Sequence, residues 1–457
     1  MRIVVVGAVL ALVCACTQAQ ERLTVDAAVQ TALAQNQTLI SARYDRDAAS
    51  WGRLNAVTNF LPKVTVSGGV TRIDPASERR ANAAVDFIKL AAGSFGIPQE
   101  MLSEIKPFAY RDTYATDVTV VQPIFNGGLE IVGLRAANAS EDRSIAMLQD
   151  TEQDVVAKVR TAYLGVLKAE ELTTLARESV ARTQRHLDVT KRRADVGMRT
   201  STDVLRWQVQ LASDEGTLIQ AENGLAAARL VLNEAMGVDL HAVFTLDRTA
   251  IGDTSVVLTA PAVLPDESPI TADLLASHPT MRGMDAGLRL ADAGVGQAWT
   301  SFLPRVNVAF QYGWEKNNTI DLDGIRPWAL ALQVSYPIFN SFGDYTNLQK
   351  AHAEYARTES QVETGRRGLV MQATFARMNL RSALKRVDIA RTGEREAREV
   401  LDQITRRYET GGASNVDLID VQTAYTAARA NAIAALYDYH IANIGYARAM
   451  GTIQTQN

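Results

Sequence analysis

Polar and apolar residues alternate one by one from Arg305 to Trp314. Val306, Val308, Phe310, Tyr312 and Trp314 fall on one side, and Arg305, Asn307, Ala309, Gln311 and Gly313 on the other. Side chains of an extended chain point to opposite faces in turn, so the pattern predicts a strand with one apolar face. Trp328 to Tyr336 repeats it, setting Trp328, Leu330, Leu332, Val334 and Tyr336 against Ala329, Ala331, Gln333 and Ser335. Earlier in the chain, Val64, Val66 and Val70 alternate with Thr65, Ser67 and Thr71, and Tyr114 to Val121 presents Val118 and Val120. The predicted strands are therefore 63–72, 114–122, 305–314 and 328–336. Each has about nine or ten residues, the length that crosses a bilayer when tilted. Aromatics gather at the ends of the second pair, as in an interfacial girdle. A soluble hairpin resting one face on a core shows the same alternation, which leaves both readings open.

Elsewhere the apolar period lengthens to that of a helix. Val155, Val156, Val159, Tyr163, Val166 and Leu167 recur at helical spacing within a run from Leu129 to Arg193 that has no strong breaker. At 1.5 Å per residue such a helix is on the order of 100 Å long. Gly197 supplies a stop, and a returning helix carries Leu205, Val209, Ala212, Gly216, Ile219, Asn223, Ala226 and Leu230, spaced alternately four and three. That spacing predicts a heptad seam between nearly parallel helices. A second long helix runs to about Tyr408, turns at Gly411-Gly412 and returns from Asn415 to Met450. None of the twelve prolines falls between Ile124 and Ala260 or after Pro337, which leaves both stretches free of the residue that breaks helices. Asn126 and Asn340, each closing a Pro-Ile-Phe-Asn, are the expected N-caps.

These elements occur twice. Phe60-Leu61-Pro62-Lys63-Val64 returns as Phe302-Leu303-Pro304-Arg305-Val306 at an offset of 242, and Pro123-Ile124-Phe125-Asn126 returns as Pro337-Ile338-Phe339-Asn340 at an offset of 214. The second offset then holds from Gly197 and Asp203 (Gly411 and Asp417) to Met236-Gly237 (Met450-Gly451). One unit has been duplicated, and the first copy carries an insertion between Pro62 and Pro123. The expected organisation is a signal peptide at 1–19, a first repeat at 20–237, a linker or equatorial segment at 238–267 and a second repeat at 268–457. The helical hairpins are expected at 126–236 and 340–451. Within the insertion, 73–110, Phe87-Ile88-Lys89-Leu90 and Met101-Leu102-Ser103-Glu104 suggest a short amphipathic helix on the outer surface.

The formal charge of −4 offers no basic surface for nucleic acid. Beyond the N-terminus no apolar run reaches the length of a transmembrane helix. Met1-Arg2 followed by apolar Ile3 to Ala15 and then small residues is an export signal pattern, with Ala19 one cleavage point. Both cysteines lie inside it, and Val13-Cys14-Ala15-Cys16 is close to a lipobox, in which Cys16 would be acylated after removal of 1–15. The five histidines, His186, His241, His278, His352 and His440, lack metal-ligand spacing. There is no phosphate loop, nucleophile elbow or paired-cysteine motif, so neither an enzyme nor a cofactor is expected.

The hairpin tips are the most distinctive segments. Each pairs a helix-ending glycine, Gly197 or Gly411, with a capping-box pattern, Thr200/Asp203 or Ser414/Asp417. A structural cap accounts for these residues but leaves Asp420, which shares a helix face with Asp417.

Two copies of strand pair plus long helical hairpin, with Leu-Pro and Pro-Ile-Phe at the strand–helix passages and Gly-x-x-Ser/Thr-x-x-Asp tips, resemble the TolC-type outer-membrane efflux proteins. The resemblance extends from Leu23-Thr24-Val25-Asp26 to Met450-Gly451. It implies a mainly α fold with a β-barrel part. Three chains would close a twelve-stranded outer-membrane barrel, which a periplasmic α-helical barrel continues. It implies a homotrimer in outer-membrane lipid, partnered by a periplasmic adaptor and an inner-membrane pump, acting as a passive exit duct for efflux or type I secretion. It also implies site roles: Tyr408 and Asp203 linking neighbouring coils, Asp417 and Asp420 forming the periplasmic gate, and Gly197, Thr200, Gly411 and Ser414 presenting the adaptor-docking tips. Ala413 stands where a family member has a closing arginine, and Arg199 on the other tip is a candidate substitute. The other-class alternative is a periplasmic coiled-coil scaffold or adaptor that spans no membrane.

Overall fold

The computed structural model describes residues 22–247, 268–317 and 327–453; the expected signal, Cys16 and most of the 238–267 segment lie outside them. The chain divides into a helical unit, Met1–Asp45 with Ile145–Gly283 and Glu363–Asn457, and a sheet unit, Arg46–Ser144 with Met284–Val362.

In the sheet unit, β1 (Lys63–Arg72), β2 (Asp112–Asn126), β3 (Arg305–Asn317) and β4 (Trp328–Ser335) form one antiparallel sheet in the order β1-β2-β3-β4. β2 runs further than its alternating part because it continues through Pro123. The register slips between Pro123 and Phe125, a bulge that accommodates a residue without a donor N–H. Asn126 is consequently the last residue of β2 and not a helix cap. Gly127 (φ 65) and Gly128 (φ 80) turn the chain left-handed before helix α5 (Leu129–Asp195), and the Asn126 amide donates to Glu130 Oε1 at 2.6 Å. Asn340 does not cap either. Ser341 (φ 47) and Phe342 (φ 59) make the equivalent turn, and helix α8 starts at Gly343 and runs to Glu409. Two short left-handed turns thus displace both helix starts from the expected asparagines.

The helical unit takes most of α5 and α8 together with α6 (Ser201–Met236) and α9 (Asn415–Ala449). Val155, Val156, Val159, Tyr163, Val166 and Leu167 all lie in its core, none more than 3% exposed. The seam expected on α6 does not pack within the chain. Leu205, Val209, Ile219 and Leu230 are exposed, Val209 by 72%. The inward line is instead Trp207 and Leu232, both buried, with Leu211, Leu225 and Ala228 partly buried against the core. A helix with apolar residues at both sets of positions carries two stripes, and one chain covers only one of them. α8 shows a comparable uncovered stripe at Met371, Phe375 and Met378.

A polar layer interrupts the helical core. The Asp214 carboxylate of α6 accepts from Thr183 Oγ1 at 2.6 Å, Ser179 Oγ at 3.3 Å and Gln210 Nε2 at 2.9 Å, while Gln422 of α9 reaches Thr183 at 3.4 Å. Thr183, Ser179 and Gln422 are buried.

Four helices end alike. At Gly197, Gly237, Gly411 and Gly451 the backbone turns left-handed (φ 74, 75, 83 and 69). In each case the next residue's N–H returns to the carbonyl five positions back, for example Met198 to Arg193 at 2.8 Å and Gly412 to Arg407 at 2.7 Å. Their surroundings differ. A Cβ at Gly197 or Gly411 would meet nothing within 4 Å, whereas at Gly237 it would lie 2.7 Å from the Gln35 carbonyl oxygen, just past α1 (Val25–Gln35). Gly197→Ala therefore costs only the left-handed strain, about 1–2 kcal/mol. Gly237→Ala adds a backbone clash and is expected to leave little assembled protein in the membrane. Equal abundance of the two variants on an immunoblot would refute the contact.

Candidate functional site

The hairpin tips are built from the ends of four helices. At the first, Thr200 Oγ1 accepts the Asp203 N–H at 3.3 Å and the Asp203 carboxylate accepts the Thr200 N–H at 3.2 Å, closing a capping box at the start of α6. At the second, Ser414 and Asp417 do the same for α9 at 3.1 and 2.9 Å. Asp203 is partly desolvated, which favours its neutral form, but hydrogen bonds from Thr200, together with the Asn415 amide and the nearby Arg199 charge, outweigh this and hold it below the usual carboxylate range. Hydrogen bonds from the Ser414 N–H and hydroxyl likewise hold Asp417 low. Both caps therefore add stability above the ordinary carboxylate pKa and lose it as pH falls through the lowered one.

Tyr408, Trp207, Leu187 and Leu418 form a small core behind the tips. Among the described residues the Tyr408 hydroxyl has no hydrogen-bond partner, and the Asp203 carboxylate accepts the Thr200 N–H and hydroxyl. The contact that the chain does make is with Arg199, whose guanidinium carbon lies 5.0 Å above the Tyr408 ring. Arg199 thus ties the α5–α6 tip to the end of α8, on the residue proposed from sequence as a substitute for the missing arginine. His186 stacks on Trp207 at 4.9 Å, and burial together with Arg182 and Arg185 pushes its pKa down, so it enters this core as a neutral ring. Asp417 and Asp420 are both exposed on the outer side of α9, while Val196 and Met198 stand exposed beside Gly197. The Thr-x-x-Asp and Ser-x-x-Asp patterns revealed the caps in advance. Nothing in the spacing revealed the pairing of Arg199 with Tyr408, which joins residues of two different repeats.

The second feature is the sheet. Its register aligns Val64 with Val120, Val120 with Phe310 and Phe310 with Leu330, and in parallel Val66 with Val118, Val118 with Tyr312 and Tyr312 with Trp328. One face is therefore apolar across all four strands, and on β4 its residues are 62–69% exposed. The opposite face carries Thr65, Ser67, Asp117, Thr119, Asn307, Gln311, Gln333 and Ser335, with Gln311 bonded to Asp117 at 3.3 Å. Tyr114, Tyr312, Trp314 and Trp328 collect at the end of the sheet remote from the long helices. Among the described residues β1 and β4 are edges without further strand neighbours.

Among the described residues no group of acidic, histidine or cysteine side chains could hold a metal, and no helix is long and apolar enough to cross a membrane.

Comparison with known proteins bears on both features. Protein CyaE of Bordetella pertussis is 26% identical over 320 residues, 68% of this chain and 65% of that protein, so the chain spans just under two thirds of it. Outer membrane protein TolC of Vibrio cholerae is 23% identical over 332 residues, 71% of this chain and 74% of that protein. The Campylobacter jejuni CmeC outer membrane channel superposes with a TM-score of 0.77 at 17% identity, covering 94% of this chain and 85% of that one, a similarity of fold. The sequence model of the outer membrane efflux protein family matches residues 28–238 and 271–452, most of both repeats. The chain belongs to the outer membrane efflux protein family, located in the outer membrane.

Proposed function

We propose that the chain is one protomer of a passive exit duct through the outer membrane, taking small toxic molecules or secreted polypeptide from an inner-membrane pump through a periplasmic adaptor. The observation that carries it is the sheet: an apolar face continuous over four strands, a polar face behind it and two open edges. Four strands cannot close on themselves, since the smallest membrane barrels have about eight. In an antiparallel β1-β2-β3-β4 order, β4 of one copy can pair with β1 of the next in the same antiparallel sense, so copies add without a mismatch. Three copies give the twelve strands of the family resemblance. The uncovered stripes on α6 and α8 support the same assembly, because a neighbouring copy supplies the apolar partner that one chain lacks. No catalytic group is required: conduction needs a polar bore, a lipid-facing band and a constriction.

Membrane fractionation tests the duct against a periplasmic scaffold. A duct requires detergent for release and then runs as a trimer, and release by osmotic shock as a soluble monomer would refute it. At the constriction we place Asp417 and Asp420, with Tyr408 and Asp203 at the contacts between coils and Gly197, Thr200, Gly411 and Ser414 on the adaptor-facing tips. Three copies would gather six carboxylates, which attract cations. Asp420→Ala should then weaken divalent-cation block of single channels and shift selectivity away from cations, while leaving the Ser414–Asp417 cap intact. Unchanged block and selectivity would place the constriction elsewhere.

A further inference from the structure

The insertion in the first repeat forms a feature that the duct does not use. Between β1 and β2 the chain folds into α3 (Pro75–Ser94) and the short α4 (Gln99–Ser103). Asp74 caps α3, its carboxylate accepting the Ala76 and Ser77 N–H groups at 2.9 and 3.0 Å. One side of α3 is anchored to the sheet end. The Asn82 amide exchanges two hydrogen bonds with the Ala109 backbone at 2.7 and 2.9 Å, Val85 is 3% exposed, and Ile73 N–H donates to Arg111 at 3.0 Å. The helix is therefore held in place by its polar contacts.

The remaining side is apolar and uncovered. At about 100° per residue, Ala83, Phe87, Leu90 and Ala91 fall on the side of the helix away from Val85, and Phe95 follows as the C-cap residue. Phe87, Leu90 and Phe95 are 70%, 73% and 85% exposed. Such a face is costly in water, and its size marks it as a contact surface. Two observations identify what it contacts. The helix starts only three residues after the end of β1, the end at which Tyr114, Trp314 and Trp328 close the apolar band of the sheet, so its face continues that band. Exposed Arg79 and Arg80 flank the N-terminal part of that face, about 50° to either side of its centre, from where their long side chains can reach anionic headgroups while the apolar residues between them meet acyl chains.

We propose that α3 is an interfacial helix that lies on the outer leaflet of the outer membrane, with Phe87, Leu90 and Phe95 among the acyl chains and Arg79 and Arg80 on anionic headgroups. This rests on the lipid-facing assignment of the sheet. Each protomer then carries one such helix beside its own strands, widening the lipid contact beyond the four-stranded band.

The test uses nitroxide spin labels on the full chain, reconstituted in vesicles of phosphatidylglycerol and phosphatidylethanolamine. The chain's two cysteines, Cys14 and Cys16, lie in the expected signal segment, and label taken up by protein without an added cysteine gives the background. Labels are placed singly at Leu90→Cys, Ala81→Cys on the Val85 side of the helix and Leu332→Cys on the sheet face, all exposed positions that tolerate a label. Collision with oxygen should exceed collision with a nickel chelate at Leu90 and Leu332 and be reversed at Ala81. Chelate access at Leu90 equal to that at Ala81, with Leu332 still shielded, overturns the interfacial helix and spares the barrel. Chelate access at Leu332 as well removes the barrel itself. Strong dipolar broadening among the Leu90 labels would assign the face to neighbouring copies and also overturn the proposal.

Discussion

Leu332→Arg is expected to remove the protein from the outer membrane, while Gln333→Arg, one residue along the same strand, is expected to leave it there. The two side chains lie on opposite faces of β4, paired with Val308 and Asn307 respectively. An arginine on the lipid face near mid-depth costs roughly 2–4 kcal/mol, and a trimer incurs that cost three times. A total on the order of 10 kcal/mol is comparable with the whole stability of a domain, so barrel closure fails and the chain is degraded. In the proposed barrel the guanidinium added at position 333 would face the bore, where it would join a polar row. It should lower cation selectivity without lowering protein levels. Outer-membrane immunoblots and single-channel recordings check the pair, and equal abundance of both variants would mean that the apolar face does not meet lipid.

Arg199→Ala should open the periplasmic end. The guanidinium over the Tyr408 ring is a cation–π contact worth about 0.5–2 kcal/mol. Lost in three copies that move together, it amounts to roughly 1.5–6 kcal/mol, a shift of the open fraction by a factor of at least ten. Cells should then admit large antibiotics that the closed duct excludes, and single channels should show a larger mean conductance. Tyr408→Phe keeps the ring and should conduct like the parent unless its hydroxyl bonds to a neighbouring copy, whereas Tyr408→Leu should behave like Arg199→Ala. A parental conductance in Arg199→Ala would show that closure is held elsewhere.

Periodicity made the long helices and four strands legible because each rule is local. The α5 core was readable from six apolar positions and the capping boxes from residues three apart. Partnership across the chain was not readable in the same way. The α6 stripe from Leu205 to Leu230 has the spacing of a packed seam, yet the chain buries Trp207 and Leu232 instead, because spacing identifies stripes and not which neighbour covers each one. Asn126 and Asn340 looked like caps because the sequence window ended at a proline motif. The helix starts are set by left-handed turns, and in the second copy these fall on Ser341 and Phe342, which carry no glycine signal. Arg199 and Tyr408 are more than two hundred positions apart, so only the fold brings them together.

The Asp214 layer makes the first helical hairpin a ruler. Slipping α6 past α5 by a heptad would move it on the order of 10 Å. The carboxylate would then leave Ser179 and Thr183 for apolar neighbours, at a cost of several kcal/mol. Apolar layers tolerate such slips because one leucine replaces another, whereas a carboxylate held by two hydroxyls and an amide has a single place to sit. The register of α6 against α5 is thereby fixed to one value, and the tip that joins them is presented in a single geometry.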